Sequence, residues 1–416
     1  MLEFLVKHAN NEKASFHMPG HKGAAFFERL GYGDQLSGIV DHDITEIPGA
    51  DDLRHAEGII KAITDSYQNL YGSKRSFISV NGSSALIMAA IVTSVKPGRK
   101  LLAAADCHIS VRNGAALAGA ETTYLDTQTI RPWQDNDNGN DTGSAVLSAP
   151  GSLSGLNGDG ADEDGLSIPA GISAQDVAKA LDADPLLDAV ILPSPNYFGV
   201  VSDIKSIADE VHARGKILIV DQAHGAHLKM FTGCNGSLPL PAEDCGADIV
   251  IVSTHKTMAS FTQTAVSNIM SGDVDAEVYE KNLLMLESTS PSYILMESLA
   301  VNADIMENHG SDLAASWRGD LDWFYDEVRR VSGVRVLTRD LVKRAAERID
   351  FDDTKIVIDF SRLGMDGEQA EKLLMEKEIY PEFNTGSIVM CLTGIGNVRK
   401  DYELLLDALL EISGAR

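Results

Sequence analysis

Two stretches decide the predicted fold, Val220-Asp221-Gln222-Ala223-His224 and Ser253-Thr254-His255-Lys256-Thr257. Each lies where a run of four apolar residues, ILIV in the first case and IVIV in the second, gives way to polar ones. Short continuous apolar runs of this kind are typical of strands buried in a parallel sheet. The pattern therefore predicts two neighbouring strands with Asp221 and Lys256 at their carboxyl ends.

An aspartate and a lysine at the ends of neighbouring strands are what pyridoxal 5'-phosphate (PLP) chemistry requires. Lys256 is the candidate for the Schiff base, and Asp221 is the candidate for the carboxylate that keeps the pyridine nitrogen protonated. Such a charge-assisted hydrogen bond is strong where water is excluded. Taken singly, the aspartate could be a helix cap or turn residue and the lysine a solvated side chain. The spacing of the pair favours the PLP site.

Neighbouring residues extend the predicted cofactor site. His224 would lie over the cofactor, near its phenolic oxygen or the substrate, and Ala223 is small enough for the ring to pack against backbone. Asn81-Gly82-Ser83-Ser84 lies between a predicted strand and a predicted helix. A helix N-terminus with free N–H groups and hydroxyls is suited to bind phosphate, although an ordinary helix cap is the alternative interpretation.

The chain resembles the Orn/Lys/Arg decarboxylase family in five motifs that keep the family's order from about residue 15 to about residue 300. Two are the stretches quoted above, and the others are Phe16-His17-Met18-Pro19-Gly20-His21-Lys22-Gly23, Asp43-Ile44-Thr45-Glu46 with Gly49-Ala50-Asp51-Asp52-Leu53, and Val80-Asn81-Gly82-Ser83-Ser84. The resemblance implies an α/β protein of PLP fold type I, the aspartate-aminotransferase fold, with PLP as cofactor. No metal site is expected.

The resemblance also implies roles for further residues. Ser253 and His255 correspond to positions that touch the cofactor phosphate, and His108 corresponds to the histidine that stacks on the pyridine ring. The amino-terminal motif is implied to lie near the substrate mouth, close to a subunit boundary, with His17, His21 and Lys22 as candidate substrate contacts.

Acidic residues are candidates for binding a cationic substrate tail, or could merely be solvated. They are Asp43, Glu46, Asp51, Asp52 and Glu382. Tyr197 follows another predicted strand and is expected to line the pocket, because ligands bind at the carboxyl ends of strands in open α/β sheets.

Three features depart from the family pattern. Gln222 stands where the family usually has Glu, and residues 134–165 have the composition of a flexible acidic insertion. The family usually carries a sizeable carboxy-terminal domain, whereas this sequence, read to Arg416, is expected to be a short form that lacks it. The resemblance therefore bears on fold and cofactor more strongly than on the substrate.

The predicted organisation has three parts. Residues 1–55 form an amino-terminal arm with little to pack on within its own chain, which predicts at least a homodimer with the active site at the subunit boundary. Residues 56–300 alternate strand and helix, which predicts a mostly parallel sheet with helices on both faces. Residues 301–416 form a small α/β domain, reached through two predicted helices, Tyr293–Ile305 and Leu313–Val331.

Composition limits the partners. The 416 residues carry a net charge of -26, which argues against nucleic acid and anionic membranes and is compatible with a cationic substrate. Neither a signal peptide nor a membrane span is expected. The four cysteines are scattered, which argues against a disulfide framework or zinc site and favours the cytoplasm.

Three functions remain open at this point. The leading hypothesis is α-decarboxylation of arginine, lysine or ornithine to the amine and carbon dioxide. A second is another PLP reaction such as transamination or β-elimination, because fold does not determine reaction type. Aminotransferases usually clamp the α-carboxylate with a small-domain arginine, and Arg335, Arg339 and Arg362 are available. The third is a catalytically inactive, PLP-binding regulatory protein.

Overall fold

The computed structural model describes residues 1–9, 19, 24–29, 31, 33, 38–133, 167–233 and 238–414. Within these ranges the α-helices are α1 (Leu2–Ala9), α2 (Ala24–Arg29), α3 (Ile59–Tyr71), α4 (Gly82–Ser94), α5 (Ile109–Ala118), α6 (Ala174–Ala183), α7 (Ile204–His212), α8 (Thr254–Thr257), α9 (Ala276–Leu286), α10 (Tyr293–Val328), α11 (Arg339–Ala345), α12 (Gly367–Met375) and α13 (Arg399–Ile412). Short 3-10 turns span Val40–His42, Leu53–His55, Leu228–Gly233, Ala242–Asp244 and Ser361–Leu363.

The strands are β1 (Arg75–Ser79), β2 (Lys100–Ala104), β3 (Glu121–Leu125), β4 (Gln128–Ile130), β5 (Ile168–Gly171), β6 (Leu187–Pro193), β7 (Val200–Val201), β8 (Ile217–Asp221), β9 (Ile249–Val252), β10 (Ala265–Ile269), β11 (Arg335–Val336), β12 (Asp350–Phe351), β13 (Lys355–Asp359), β14 (Phe383–Thr385) and β15 (Ile388–Leu392).

Seven strands form the main sheet, in the order β1-β10-β9-β8-β6-β2-β3. β10 runs antiparallel to both of its neighbours, and the other pairs are parallel. Alternate side chains of the central strands enter two separate apolar cores, one on each face: Leu218 and Val220 belong to the first and Ile219 to the second. Burial on both faces explains the continuous apolar runs. The predicted α/β class with a mostly parallel sheet is confirmed.

The longest helix differs from its prediction. α10 is a single helix of 36 residues, whereas the sequence predicted two helices in this region. Its buried face continues through Met306, Gly310, Ala314 and Trp317, at intervals of three and four residues. This continuous buried stripe holds the helix together across the polar residues that suggested a break.

A second, antiparallel sheet has the order β11-β13-β15-β14. Its apolar core includes side chains from α10, α12 and α13, together with Phe231 from the main-sheet part of the chain. β12, which precedes β13, pairs with β7, which follows β6, so a separate two-stranded sheet links the chain segments next to the two larger sheets. The domain boundaries at residues 55 and 300 stay predictions, and α10 spans the second of them.

The amino-terminal segment packs more closely than expected. Leu5 and Ala50 are fully buried and Ile44 nearly so, and all three belong to the core on one face of the main sheet. The expectation that this segment has little to pack on within its own chain is therefore wrong for these described residues, because their apolar side chains find partners there.

The predicted acidic insertion, 134–165, lies outside the described residues. β4 and β5, which flank it, pair antiparallel, with Ile130 opposite Ile168. Across the described ranges no helix is long and apolar enough to cross a membrane. Cys107, Cys245 and Cys391 are free thiols.

Candidate active site

A cavity of about 330 Å³ lies at the carboxyl ends of the parallel strands. Asp106 follows β2, Pro193 ends β6, Asp221 ends β8, and Lys256 follows β9. Ligands of open α/β sheets bind at this edge, and the volume lies within the usual range for small-molecule sites, about 300–1,000 Å³. The predicted site residues that line the cavity are Gly82, Ser83, Ser84, His108, Tyr197, Asp221, Ala223, His224, His255 and Lys256.

Lys256 and His224 are in direct contact, with 2.9 Å between Lys256 Nζ and His224 Nε2. Burial, followed by the positive charge of Lys256, lowers the pKa of His224 well below its usual value. The neutral imidazole can therefore accept a hydrogen bond from the amine. Burial also lowers the pKa of Lys256, and the negative charges of Asp221 and Glu382 oppose that effect. The pair can share a proton between two defined atoms.

Asp221 is buried at the cavity wall, with 6% of its surface exposed. Its Oδ1 accepts a hydrogen bond from the Ala223 N–H at 3.1 Å. Burial raises the pKa of Asp221, and the charge of Lys256, this hydrogen bond and His108 partly offset the rise. A cationic partner at this wall would favour the ionised carboxylate.

Tyr197 covers the His224 ring, with 4.6 Å between the ring centroids. On its other side the Tyr197 ring meets the edge of Phe383 at 5.7 Å. Glu382, next to Phe383, is exposed, and after burial its negative charge is the largest influence that raises the pKa of Tyr197. An acidic residue directly before β14 thus acts on the cavity residue Tyr197 through its charge.

Two histidines face the cavity with defined tautomers. His108 caps α5, and its Nδ1 accepts from the Ser110 N–H at 3.2 Å, which leaves the proton of the neutral ring on Nε2. His255 Nδ1 donates to the Thr264 carbonyl at 2.8 Å, because a carbonyl can only accept. Since His108 is also largely exposed, a face of its ring is accessible for stacking.

The other end of the cavity begins a helix. Gly82, Ser83 and Ser84 form the first turn of α4, and Gly82 has a positive φ of 78°, which glycine adopts without strain. The first N–H groups of a helix lack intrahelical acceptors and attract anions. Ser253, which precedes α8, is fully buried, and its Oγ has no hydrogen-bond partner in the described part of the chain.

Several predicted residues are not brought to the cavity. Asn81 Nδ2 donates to the Leu286 carbonyl at 3.0 Å, so this side chain secures the loop against α9. Ser253, Asp43, Glu46 and Glu382 are also not among the lining residues. His17, His21 and Lys22 lie outside the described residues. Asp51 accepts from the Gly58 and Ile60 N–H groups and caps the start of α3, which is the ordinary interpretation of such a residue.

Asp106 is a cavity residue that the sequence did not reveal. Burial, followed by the negative charge of Asp221, raises the pKa of Asp106 to about 6. Its Oδ1 is buried and has no partner among the described residues. The signal available in the sequence was its place after β2, two residues before His108.

Gln222 turns away from the cavity. Its Nε2 donates to Glu243 Oε2 at 2.8 Å, and its Oε1 accepts from the Ala242 N–H at 2.8 Å. The side chains of Gln222 and Glu243 are both buried. A glutamate at position 222 would bring a second carboxyl group against Glu243, so the amide suits this chain's own packing.

These residues fit pyridoxal 5'-phosphate. Ser83, Ser84 and the first N–H groups of α4 provide hydrogen-bond donors for a phosphate, Asp221 offers a buried carboxylate to a ring nitrogen, and Lys256 offers an amine to an aldehyde. No cluster able to hold a metal ion occurs in the described ranges. Fold and site together define a PLP-dependent enzyme of fold type I.

Comparison with known sequences identifies the family. The family model described as Orn/Lys/Arg decarboxylase, major domain, matches residues 1–132 and 160–401. The chain belongs to the Orn/Lys/Arg decarboxylase family, and the resemblance seen in the five motifs is confirmed. It is thus a PLP-dependent amino acid decarboxylase by family, with pyridoxal 5'-phosphate as the cofactor.

Individual relatives agree with this assignment. An arginine decarboxylase of Halalkalibacterium halodurans is 30% identical over 413 residues, which cover 98% of this chain and 76% of the relative. An arginine decarboxylase of Bacillus subtilis is 29% identical over the same length and coverage. The crystal structure of the Francisella novicida lysine decarboxylase LdcF matches 99% of this chain with a TM-score of 0.77 at 19% identity. This chain covers 59% of the LdcF chain, or about three fifths of its length.

We predict that Glu243→Gln removes a pH dependence of stability. Burial raises the pKa of Glu243 to about 6, while the unfolded value is about 4.3. The folded chain therefore binds this proton more tightly, and the associated stability is present below about pH 4.3 and lost as the pH rises through 6. The loss is about 2 kcal/mol, at about 1.36 kcal/mol per pKa unit.

Urea unfolding of parent and variant, from roughly pH 4 to roughly pH 7, measures this difference in the free energy of unfolding across the range in which Glu243 titrates. The free energy of unfolding of the variant should rise relative to that of the parent as the pH rises. Glu376→Gln, at an exposed position, is the matched control and should leave the profile unchanged. Parallel profiles for parent and Glu243→Gln would show that Glu243 does not titrate in this range.

Proposed function

We propose that this protein removes the α-carboxylate of a basic amino acid as carbon dioxide and releases the corresponding amine. The observation that supports this most is that one cavity, in a chain of this family, brings together Lys256, Asp221 and the first turn of α4. Arginine is the first candidate substrate, because the relatives from Halalkalibacterium halodurans and Bacillus subtilis are named arginine decarboxylases. Lysine and ornithine remain in the proposal.

The proposed roles follow from position. Lys256 would bind the cofactor aldehyde, Asp221 would pair with the ring nitrogen, and Ser83, Ser84 and Ser253 would hold the phosphate. When bound, pyridoxal 5'-phosphate anchors the substrate amine and withdraws electrons from its α-carbon. His255 contributes to the phosphate end, and His108 offers its exposed ring as a stacking surface.

Proton movement is assigned to the contact between Lys256 and His224. Both pKa values are lowered by burial, so at neutral pH the imidazole is uncharged and the amine gives up its proton more readily than an exposed lysine. We assign Lys256 Nζ and His224 Nε2, 2.9 Å apart, as the atoms that hold the proton returned to the α-carbon. Tyr197 shields this pair from water.

Glu382 is proposed to bind the cationic tail of the substrate. Glu382 directly precedes Phe383, whose ring contacts Tyr197 of the cavity, and its negative charge raises the pKa values of both Lys256 and Tyr197. A small-domain arginine for the α-carboxylate, as transamination would use, has less support. Arg335 pairs with Asp359 and Arg339 with Asp350, and neither lines the cavity.

We also propose a homodimer or higher homo-oligomer in the cytoplasm. Large apolar side chains are exposed close to the cavity: Tyr197 lines it, and Ile109 follows His108. A second copy would remove this surface from water. Sedimentation at micromolar concentration should give at least a dimer. A stable and active monomer would refute the proposed assembly, and cell fractionation would test the compartment.

The central experiment incubates the PLP-loaded protein with arginine, lysine, ornithine and neutral amino acids. We expect carbon dioxide and amine in equal amounts from one basic substrate, and borohydride reduction with peptide mapping should place the pyridoxyl group on Lys256. Lys256→Ala should fold and yield neither result. A keto acid product would mean transamination, no turnover would favour the regulatory alternative, and a label on another lysine would refute the assignment of Lys256.

Asp221→Asn should retain the cofactor and lose at least about a hundredfold in kcat, equivalent to about 2.7 kcal/mol of barrier. The amide can still form a hydrogen bond, but it carries no charge to hold a proton on the ring nitrogen. Asp106→Asn, at the other carboxyl of the cavity, is the comparison. Turnover is measured at full PLP occupancy. A small loss for Asp221→Asn with a large one for Asp106→Asn would make Asp106 the partner instead.

A further inference from the structure

A fully buried ion pair lies behind the cavity, where β12 turns into β13. Asp352 and Lys355 are both 0% exposed, with 2.6 Å between Lys355 Nζ and Asp352 Oδ2. Lys355 Nζ also donates to the main-chain carbonyl of His224 at 3.0 Å. The second sheet thus holds the backbone of the residue whose ring contacts Lys256.

His227 extends this contact to the lysine segment. Its Nε2 donates to Asp352 Oδ1 at 3.2 Å, and its Nδ1 lies 3.2 Å from Thr257 Oγ1. Thr257 directly follows Lys256, and the Thr257 carbonyl accepts from the Ile395 N–H at 2.9 Å. The segment that carries the reactive lysine is therefore held at two points, by Ile395 after β15 of the second sheet and by His227, which in turn contacts Asp352.

A third wall segment of the cavity meets the same turn. The Asp352 N–H donates to the Gly199 carbonyl at 2.8 Å. A Cβ atom at position 199 would lie 2.8 Å from the Asp352 carbonyl oxygen and 3.1 Å from Lys355 Cδ, so only glycine fits. The segments that carry Tyr197, His224 and Lys256 all converge on Asp352 and Lys355.

Stability alone is a weak explanation for such a pair. Moving a charged group from water into a protein interior costs on the order of several kcal/mol per ion. Well-packed apolar residues in place of a buried ion pair often give equal or greater stability. The ion pair nevertheless stands directly behind the candidate active site, with its cation directed at a carbonyl of that site. A role in the chemistry accounts for its position.

We propose that Lys355 is a positioning residue for the lysine site: paired with Asp352, which His227 also contacts, its ammonium holds the main chain at His224 and adds a fixed positive charge behind the His224–Lys256 pair. The charge favours the uncharged amine of Lys256 and the uncharged ring of His224, the forms between which a proton can move. The inference depends on the proposed function only for the identity of Lys256 as the reactive lysine.

Electrostatics support the geometry. Burial lowers the pKa of Lys256, Asp221 and Glu382 raise it, and Lys355 lowers it further. For His224, burial and Lys256 lower the pKa, Lys355 adds to that, and Asp352 opposes it. Burial alone would raise the pKa of Asp352, but the charges of Lys355 and His227 outweigh it and hold that pKa well below its usual range.

The test replaces the pair by uncharged residues of similar size, in the double variant Lys355→Met with Asp352→Asn. The matched control is Arg335→Met with Asp359→Asn, which removes an ion pair of 2.7 Å at the other end of β13. In full-length cofactor-free protein, an amine-reactive reagent labels Lys256 across a pH series, and peptide mass spectrometry gives the midpoint. The PLP-loaded proteins are titrated in parallel through the cofactor's visible absorbance.

We expect the labelling midpoint of Lys256 to rise in the Lys355 double variant, by less than the roughly one pH unit expected for a lone unit charge several Å away, because the opposing charge of Asp352 is removed with it. The control should lose thermal stability with its Lys256 midpoint unchanged. Equal losses of stability with no shift of the midpoint in either variant would overturn the proposal and leave Lys355 a purely structural residue.

Single substitutions at Lys355 and the decarboxylation assay provide further tests. If the double variant does not fold, Lys355→Gln removes the charge while retaining hydrogen-bond donors, and an unshifted midpoint there refutes the proposal. Lys355→Arg keeps the charge and should retain the parent midpoint. A shifted Lys256 midpoint in a protein that decarboxylates no amino acid would support the role of Lys355 and refute the proposed function, so the two failures are distinguishable.

Discussion

The parallel pairing of β8 with β9 is the constraint on which the site depends. Asp221 lies level with Ile251 in this pair, and the Gln222 N–H continues the ladder to the Ile251 carbonyl at 2.8 Å. A slip of one residue would turn Asp221 to the other face of the sheet, away from Lys256. Because the central residues of both strands are buried, such a slip would also misplace every apolar side chain between the two cores.

Burial gives the cavity its chemical character. An amine, an imidazole and two carboxyl groups share a space from which water is largely removed, so desolvation shifts each pKa toward the uncharged form. Attraction between Lys256 and Asp221 opposes the shift for these two groups. Strongly shifted pKa values of this kind are typical of functional sites.

The second sheet is as much a part of the site as the first. The main sheet supplies the side chains that face the cavity, whereas β12, β13 and the segment after β15 secure the main chain behind them. The mouth has the same dual origin, because Tyr197 follows a strand of the main sheet and Phe383 begins a strand of the second. Relative movement of the two sheets would therefore alter the reactive pair and its entrance together.

The amino-acid sequence by itself determined the features that depend on neighbours along the chain. An apolar run followed by polar residues marks the end of a buried strand, so Asp221 and Lys256 could be placed at the ends of two strands, and the alternation of strand and helix predicted the mostly parallel main sheet. The strand–turn–helix pattern likewise indicated Gly82, Ser83 and Ser84.

Only the tertiary structure decided which distant residues meet. Asn81 looked like a cofactor ligand, but its side-chain amide bonds the Leu286 carbonyl and secures a loop, while Lys355 gave no local signal of its place behind the site. Lys355 and His224 are 131 residues apart, and Gln222 meets a carboxyl group 21 residues away. The continuity of α10 was decided by burial of its apolar stripe. Hydrogen bonds, desolvation and charge depend on separation in space, which a one-dimensional pattern does not contain.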